Sequence, residues 1–276
     1  MPEKDEPEGG KRTKILLWAG GILTAVITAW ATDALSLIVR PADLLGLGKP
    51  ALRATVLPAT GRNPHLAVPA LPVTPRDRAI FLTGRFDDPA FLDLAGRLGG
   101  AWVEWMRVRV VFEADRAPVR ITDVRVKEVT GDRPNITGAF VEFPSETAER
   151  NPQLTVDLDA PRKFFTSAGK PGPPYFGRQS LSLQQGEQTE LGLEIRAGAR
   201  SHAFNLEVEY VPGGGDRAER ITVTDQAGRP FRVTGAPERH TGYGTVYLNT
   251  GAGLRAATGR AACEFFEPDR ACGSGR

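Results

Sequence analysis

The chain reads as an all-β protein, an Ig-like antiparallel β-sandwich, behind a single amino-terminal membrane helix and with one short helix before the sheet. Three observations predict this. Apolar and polar residues alternate with a period of two beyond Trp105. Clusters of Gly, Pro, Asp and Asn interrupt that alternation at short intervals. Residues 15–32 carry no charge at all.

Residues 1–14 (MPEKDEPEGGKRTK) have no large apolar side chain beyond Met1 and predict a disordered cytoplasmic tail. The uncharged run from Ile15 to Thr32 is 18 residues long. As a helix it spans about 27 Å at 1.5 Å per residue, close to a hydrocarbon core of roughly 30 Å. Asp33 interrupts it and Ala34 to Val39 resume it, so the predicted span is 15–39. Trp18 and Trp30 sit near the two ends of the uncharged run, where amphipathic rings lie at the bilayer interface.

Lys11, Arg12 and Lys14 crowd the amino-terminal flank, whereas Arg40 stands alone until Lys49. The positive-inside bias therefore keeps the tail in the cytoplasm and the rest of the chain outside the cell, with the lipid bilayer as first partner. The rival reading is a signal peptide cut after Ala31, at Ala29-Trp30-Ala31, which makes the protein a secreted binding module. The bulky Trp30 and the apolar ALSLIV that follows favour a retained anchor.

Residues 40–78 include LPATGRNPHLAVPALPVTP, with five prolines, and predict an extended stalk. Part of it, such as Arg53 to Leu57, is able to add an edge strand. The sandwich is expected over 79–250. In DDPAFLDLAGRLGG, Asp88 is a candidate N-cap, Pro89 the first helical residue and Gly99 the terminator. Phe91, Leu94, Ala95 and Leu98 then share one helix face.

Strands begin with MRVRVVFEA, where Met106, Val108, Val110 and Phe112 face one way. In VRITDVRVKEV the phase slips between Ile121 and Val124, predicting a bulge at Asp123. Short strands then follow to GTVYLNT, separated by turns such as GDRPN, QQGEQ and DQAGRP. With no helical stretches between them, antiparallel sheets with one wet face are expected. Residues 251–276 read as a carboxyl-terminal tail.

The order WMRVRVVFEA, APVRITDVRV, NITGAFVEFP, LTVDLDAP, PYFGRQSLSLQQGEQTELGLEI, FNLEVEYV, ITVTDQAGRPFRVTG covers about 102–236. It resembles a set of uncharacterised membrane-anchored proteins of Streptomyces and related actinobacteria, which share a V-x-I-T-D strand and a G-x-PF-x-V-T close. The resemblance implies an extracytoplasmic β-sandwich and brings no functional residues, because the set has no established activity. A GC-rich genome fits the bias of 28 Arg to 7 Lys.

Net charge is +2, so no basic face calls for nucleic acid. Cys263 and Cys272 are the two cysteines. Their spacing matches neither a zinc site nor a C-x-x-C redox pair, and on an exported chain a disulfide is expected between them.

The remaining chemistry-bearing residues read as structural. His65 lies in the stalk, His202 starts a strand and His240 sits in a Gly-rich loop, so all three are expected at the surface. No G-x-S-x-G elbow, P-loop or dinucleotide fingerprint is present. Ser167 and Lys170 match S-x-x-K, but PGPP follows at once and the S-D-N and K-T-G partners are missing, which predicts a loop.

Asp157 and Asp159 share a strand face without the helpers that calcium needs, and Asp87 and Asp88 do no better. Tyr175 and Phe176 are expected to plug the open end of the sandwich rather than form a sugar platform, and Trp102 and Trp105 to pack inside. No cofactor is expected. The function expected is non-enzymatic recognition of a cell-envelope protein or cell-wall polymer. The competing expectation is a cell-wall hydrolase or transferase, for which carboxylates from Asp157, Asp159 and Glu187 must converge.

Overall fold

The computed structural model describes residues 50–58, 65–85, 88–143, 152–170, 172–213, 215–266 and 272. The predicted tail, the span with Lys11, Arg12, Lys14, Trp18 and Trp30, the Ala31 junction and Asp87 lie outside the described residues. Among the described residues no helix is long and apolar enough to cross a membrane.

The described chain is mostly strand. In order it forms β1 (Leu52–Pro58), β2 (His65–Val68), α1 (Pro75–Thr83), α2 (Pro89–Arg97), β3 (Ala101–Val103), β4 (Trp105–Ala114), β5 (Val119–Arg133) and β6 (Ala139–Glu142). β7 (Leu154–Asp157), β8 (Thr166–Ser167), β9 (Leu181–Leu183), β10 (Gln188–Arg196), β11 (Ser201–Pro212), β12 (Glu219–Val223) and β13 (Phe231–Thr234) follow. A 3-10 turn (His240–Gly242), β14 (Thr245–Asn249), β15 (Leu254–Ala257) and α3 (Arg260–Phe266) complete it.

Two mixed sheets result. The first has the order β1-β4-β10-β7-β8, and the second β15-β14-β6-β2-β3-β13-β11-β5-β9. β12 and β13 share β11, pairing with Leu206–Tyr210 and with His202–Phe204 respectively. The expectation of purely antiparallel sheets is corrected: β7–β10, β3–β13 and β6–β14 are parallel pairs. A parallel pair needs a long crossover, usually a helix. Here intervening strands make the crossovers, so the sequence carries no helical signal for them.

The main core lies between the sheets. β4 contributes Met106, Val108, Val110 and Phe112, all buried as their alternation predicts, and β11 faces them with Phe204, Leu206, Val208 and Tyr210. β5 does bulge, one residue before the predicted Asp123: Glu209 pairs with Asp123 but Tyr210 pairs with Ile121, leaving Thr122 extra. The chain passes from the second sheet to the first at one residue, Glu104, which adopts φ 64°. Its N–H donates to Thr234 O at 2.6 Å and its carbonyl accepts from Ala197 N at 2.8 Å.

The far half of the second sheet is covered on both faces. Phe81 of α1 and Phe91, Leu94 and Ala95 of α2 pack on Leu66, Val68 and Val141. Ala67 and Phe140, pointing the other way, meet Ala262, Phe265 and Phe266 of α3. This corrects the stalk and the tail. Residues 52–58 and 65–68 are strands of the fold and 75–83 a helix, while 254–257 supply β15 and 260–266 supply α3. The prolines mark element boundaries, as Pro75 does at the start of α1. HLAV does not alternate because both of its faces are buried.

The helix at 89–97 forms as expected, capped by Asp88, whose Oδ1 accepts from Ala90 N at 2.8 Å. A second helix, α1, precedes it, capped by Thr74 and closed by Gly84 at φ 61°. Cys263 and Cys272 are bonded, with Cα atoms 5.8 Å apart.

Candidate functional site

The turn between β12 and β13 is built by one side chain. Asp225 Oδ1 accepts from Ala227 N at 2.9 Å and Arg229 N at 2.6 Å, and Gly228 takes the left-handed position at φ 76°. Arg229 then reaches outward. Its Nε donates to Asp225 Oδ2 at 3.2 Å and its Nη1 to Asp93 Oδ1 at 3.0 Å and Asp93 O at 3.1 Å. On the other side Gln226 Nε2 donates to Val56 O at 3.2 Å. The turn is thereby tied to α2 and to β1 at once.

Beside this bridge lies a cleft of about 660 Å³. Its apolar walls come from both sheets and from α2, chiefly Val56, Leu57, Leu92, Trp102, Met106 and Val108. Its charged lining is Asp93, Arg107, Asp225, Arg229 and Arg232. Arg107, 21% exposed, donates from Nε to Glu194 Oε2 at 3.0 Å, and Glu194 also accepts from Arg196. Hydrogen bonds from Arg97 and then Arg229 outweigh burial and hold the Asp93 carboxyl below its ordinary range. Its volume lies within the range of about 300–1,000 Å³ spanned by ligand pockets.

The second polar cluster is internal. His202, its side chain 1% exposed, places Nδ1 3.0 Å from Glu128 Oε1 and Nε2 3.0 Å from Asp159 Oδ1. Lys163 donates to Glu128 as well, and Gly198 N and Ala199 N donate to Asp159 Oδ2 at 2.6 and 2.7 Å. Burial pushes both carboxyls up, but these donors prevail and the net shift is downward for Glu128 and Asp159. The cluster fastens the segment after β7 to β5 and β11. Among the described residues no nucleophile is hydrogen-bonded to the ring, and Ser201 meets Thr234, oxygen to oxygen at 2.6 Å.

His202 is therefore not at the surface, which corrects the sequence reading; the signal for it, carboxylates 43 and 74 residues away, is non-local. His65 is half-buried between Phe140 and Phe265, 5.0 and 5.7 Å from their ring centroids, instead of in a stalk. His240 lies half-buried in the 3-10 turn. Ser167 ends β8 and its carbonyl accepts from Lys170 N, a turn and not one face of a helix.

Asp157 ends β7 and accepts from Asp159 N at 2.9 Å. Both lie at the Arg196 end of β10, while Glu187 precedes the other end and accepts from Gln184 N. Nine residues of strand separate those ends, about 30 Å at ~3.3 Å per residue. A hydrolase pair needs roughly 5–10 Å, so Glu187 does not converge with Asp157 or Asp159.

Among the described residues no group of three or more His, Cys, Asp or Glu side chains is placed to hold a metal ion. Tyr175 and Phe176 meet each other edge-to-face, 5.0 Å between ring centroids, and both pack against the main core. Trp102 is wedged between the main and helix-side cores, and Trp105 lies half-buried against Arg107. The cleft residues Asp93, Asp225 and Arg229 carried no sequence signal as a site, since 136 positions separate Asp93 from Arg229. The chain matches no protein-family model, no curated protein and no solved structure.

Proposed function

We propose that this is a membrane-anchored binding module, an Ig-like β-sandwich with a helical flank, displayed on the extracytoplasmic side of an actinobacterial envelope. The cleft carries the reading. It offers about 660 Å³ of mostly apolar wall with its charged groups at named positions, which is the constitution of a recognition site. The location rests on the charge-free run at 15–32, the basic flank of Lys11, Arg12 and Lys14, and the Cys263–Cys272 bond, which suits an oxidising compartment. The partner is a component of the cell envelope.

The test is intact mass, fractionation and surface proteolysis of the full-length protein in an actinobacterial host. Full-length mass in the membrane fraction with the β-rich part cut by protease added to whole cells supports the reading. Loss of residues 1–31 with product in the medium replaces the anchor by secretion. Protection of the β-rich part in intact cells overturns the orientation.

A further inference from the structure

We propose that the cleft beside the β12–β13 turn holds the hydrocarbon chain of a membrane lipid, whose head group stays outside at the rim. The inference rests on the reading of the protein as an anchored binding module and names the class of its ligand.

The cleft opens where the two cores of the fold meet. Met106, Val108 and Phe231 reach it from the main core, and Leu66, Leu92 and Ala95 from the helix-side core. Trp102 packs against both cores, and like Val56 and Leu92 it is only half-buried. The walls are thus core side chains left partly uncovered. A ligand that covers them completes two cores at once.

No charged side chain is directed into the interior. Arg107 and Arg232 border the cleft, but Arg107 alternates with Met106 and Val108 on β4, and Arg232 with Phe231 and Val233 on β13. Both side chains therefore leave their sheets on the faces turned away from the core residues that wall it. Asp93, Asp225 and Arg229 stay partly exposed, and Arg229 joins the two aspartates. Of the wall side chains, only the Trp102 indole carries a hydrogen-bonding group of any strength.

These walls choose the ligand. A peptide brings an N–H and a C=O at each residue, and a sugar its hydroxyls, and each needs a partner when buried. A hydrocarbon chain makes no such demand, and each methylene it buries tightens binding about fourfold. The bilayer is the source. The twelve residues 40–51 join the proposed span at 15–39 to β1, whose Val56 lines the cleft, and reach at most roughly 40 Å when extended. Lipid chains are therefore the hydrocarbon at the highest local concentration.

The experiment places the full-length chain in nanodiscs containing phosphatidylcholine with a photoreactive palmitoyl chain, the crosslinks being mapped by peptide mass spectrometry. Label is expected on peptides containing Leu92, Trp102 or Met106, beside the label that residues 15–39 take up from the bilayer. Phosphatidylglycerol with the same chain is expected to label the cleft to the same extent. Leu92→Asp sets a charge in the apolar wall and is expected to cut cleft labelling about tenfold, with the label on 15–39 and the melting temperature unchanged. If that variant does not fold, the head-group comparison on the unaltered chain still decides.

Label confined to residues 15–39, undiminished labelling of a folded Leu92→Asp chain, or a preference of about tenfold or more for either head group overturns the proposal. So does displacement of the cleft label by an apolar peptide and not by excess unlabelled phosphatidylcholine. Cleft label on a chain that external protease does not reach in cells keeps this inference and overturns the extracytoplasmic reading. A chain that protease reaches but that carries label only at 15–39 does the reverse.

Discussion

Arg229 lies so close to Gly96 that a β-carbon at residue 96 would meet its guanidinium carbon at 2.5 Å. The hydrogen atom of glycine is what lets the turn dock on α2. In Gly96→Ala the guanidinium must move, and its bonds to Asp93 are lost. Arg229 and Asp93 are 29% and 53% exposed, so that loss is small, about 0.2–1 kcal/mol. Alanine in a helix interior returns about 0.5–1 kcal/mol. Overall stability should therefore stay within about 1 kcal/mol of the parent. Amide exchange at Ala227 and Gly228, read by mass spectrometry, should nevertheless accelerate. Unchanged exchange there would show that the clamp does not hold the turn.

His202 bridges Glu128 and Asp159 from inside the fold, and its removal takes a ring nitrogen away from each carboxylate. His202→Ala should cost about 2–3 kcal/mol at neutral pH, the range for hydrogen bonds to charged groups. The pH dependence follows from the lowered folded values of both acids, whose ordinary values are 4.5 and 3.8. Their contribution is complete above that range and is lost as pH falls through the depressed values. The gap between parent and variant in urea unfolding should narrow on acidification below about pH 4.5. A gap that widens there contradicts the bridge.

How far the sequence discloses this structure depends on whether each signal is local. α2 was legible because Asp88, Pro89 and Gly99 punctuate a stretch with one apolar face, and β4 because only one of its faces is buried. The slip in β5 showed as a broken period. α1 was not legible: its Thr74-Pro75 start is present, but Phe81 is its single buried side chain, so no apolar stripe marks it. β2 was hidden among prolines. The cleft joins β1, α2, β3, β4 and the β12–β13 turn: residues 89–108 bring α2, β3 and β4, but Val56 and Leu57 precede them and Asp225 to Arg232 follow far along the chain, so no one window holds the site. Residue types alone were readable there; their convergence was not.

The disulfide fastens the chain beyond α3 to the helix that carries Cys263. Closing a loop of this size restricts the unfolded chain by an amount worth roughly 2–3 kcal/mol in the loop-entropy account. That amount falls on α3 first, because the helix is held otherwise by Ala262, Phe265 and Phe266 against Phe140 and Tyr243. The Cys263→Ser, Cys272→Ser pair should expose α3 to proteolysis after Phe265 or Phe266 while β4, β10 and β11 keep their exchange protection. Global unfolding at the same denaturant concentration would mean that α3 is not a separable layer.

Glu104 turns the chain from one sheet to the other in a conformation that costs an L-residue roughly 1–2 kcal/mol. Its side chain is exposed, and its structural bonds run through its own N–H and C=O, to Thr234 and from Ala197. Glycine keeps both bonds and removes the steric cost, at an unfolded-state penalty of about 0.5–1 kcal/mol. Glu104→Gly should therefore hold stability or raise it by up to about 1 kcal/mol. Glu104→Pro should be severe, because proline has no N–H for Thr234 O and its ring fixes φ near −65°. Denaturant midpoints of the two variants measure both effects. A loss of more than about 1 kcal/mol in the glycine variant would mean that the carboxylate, and not the backbone, secures the corner.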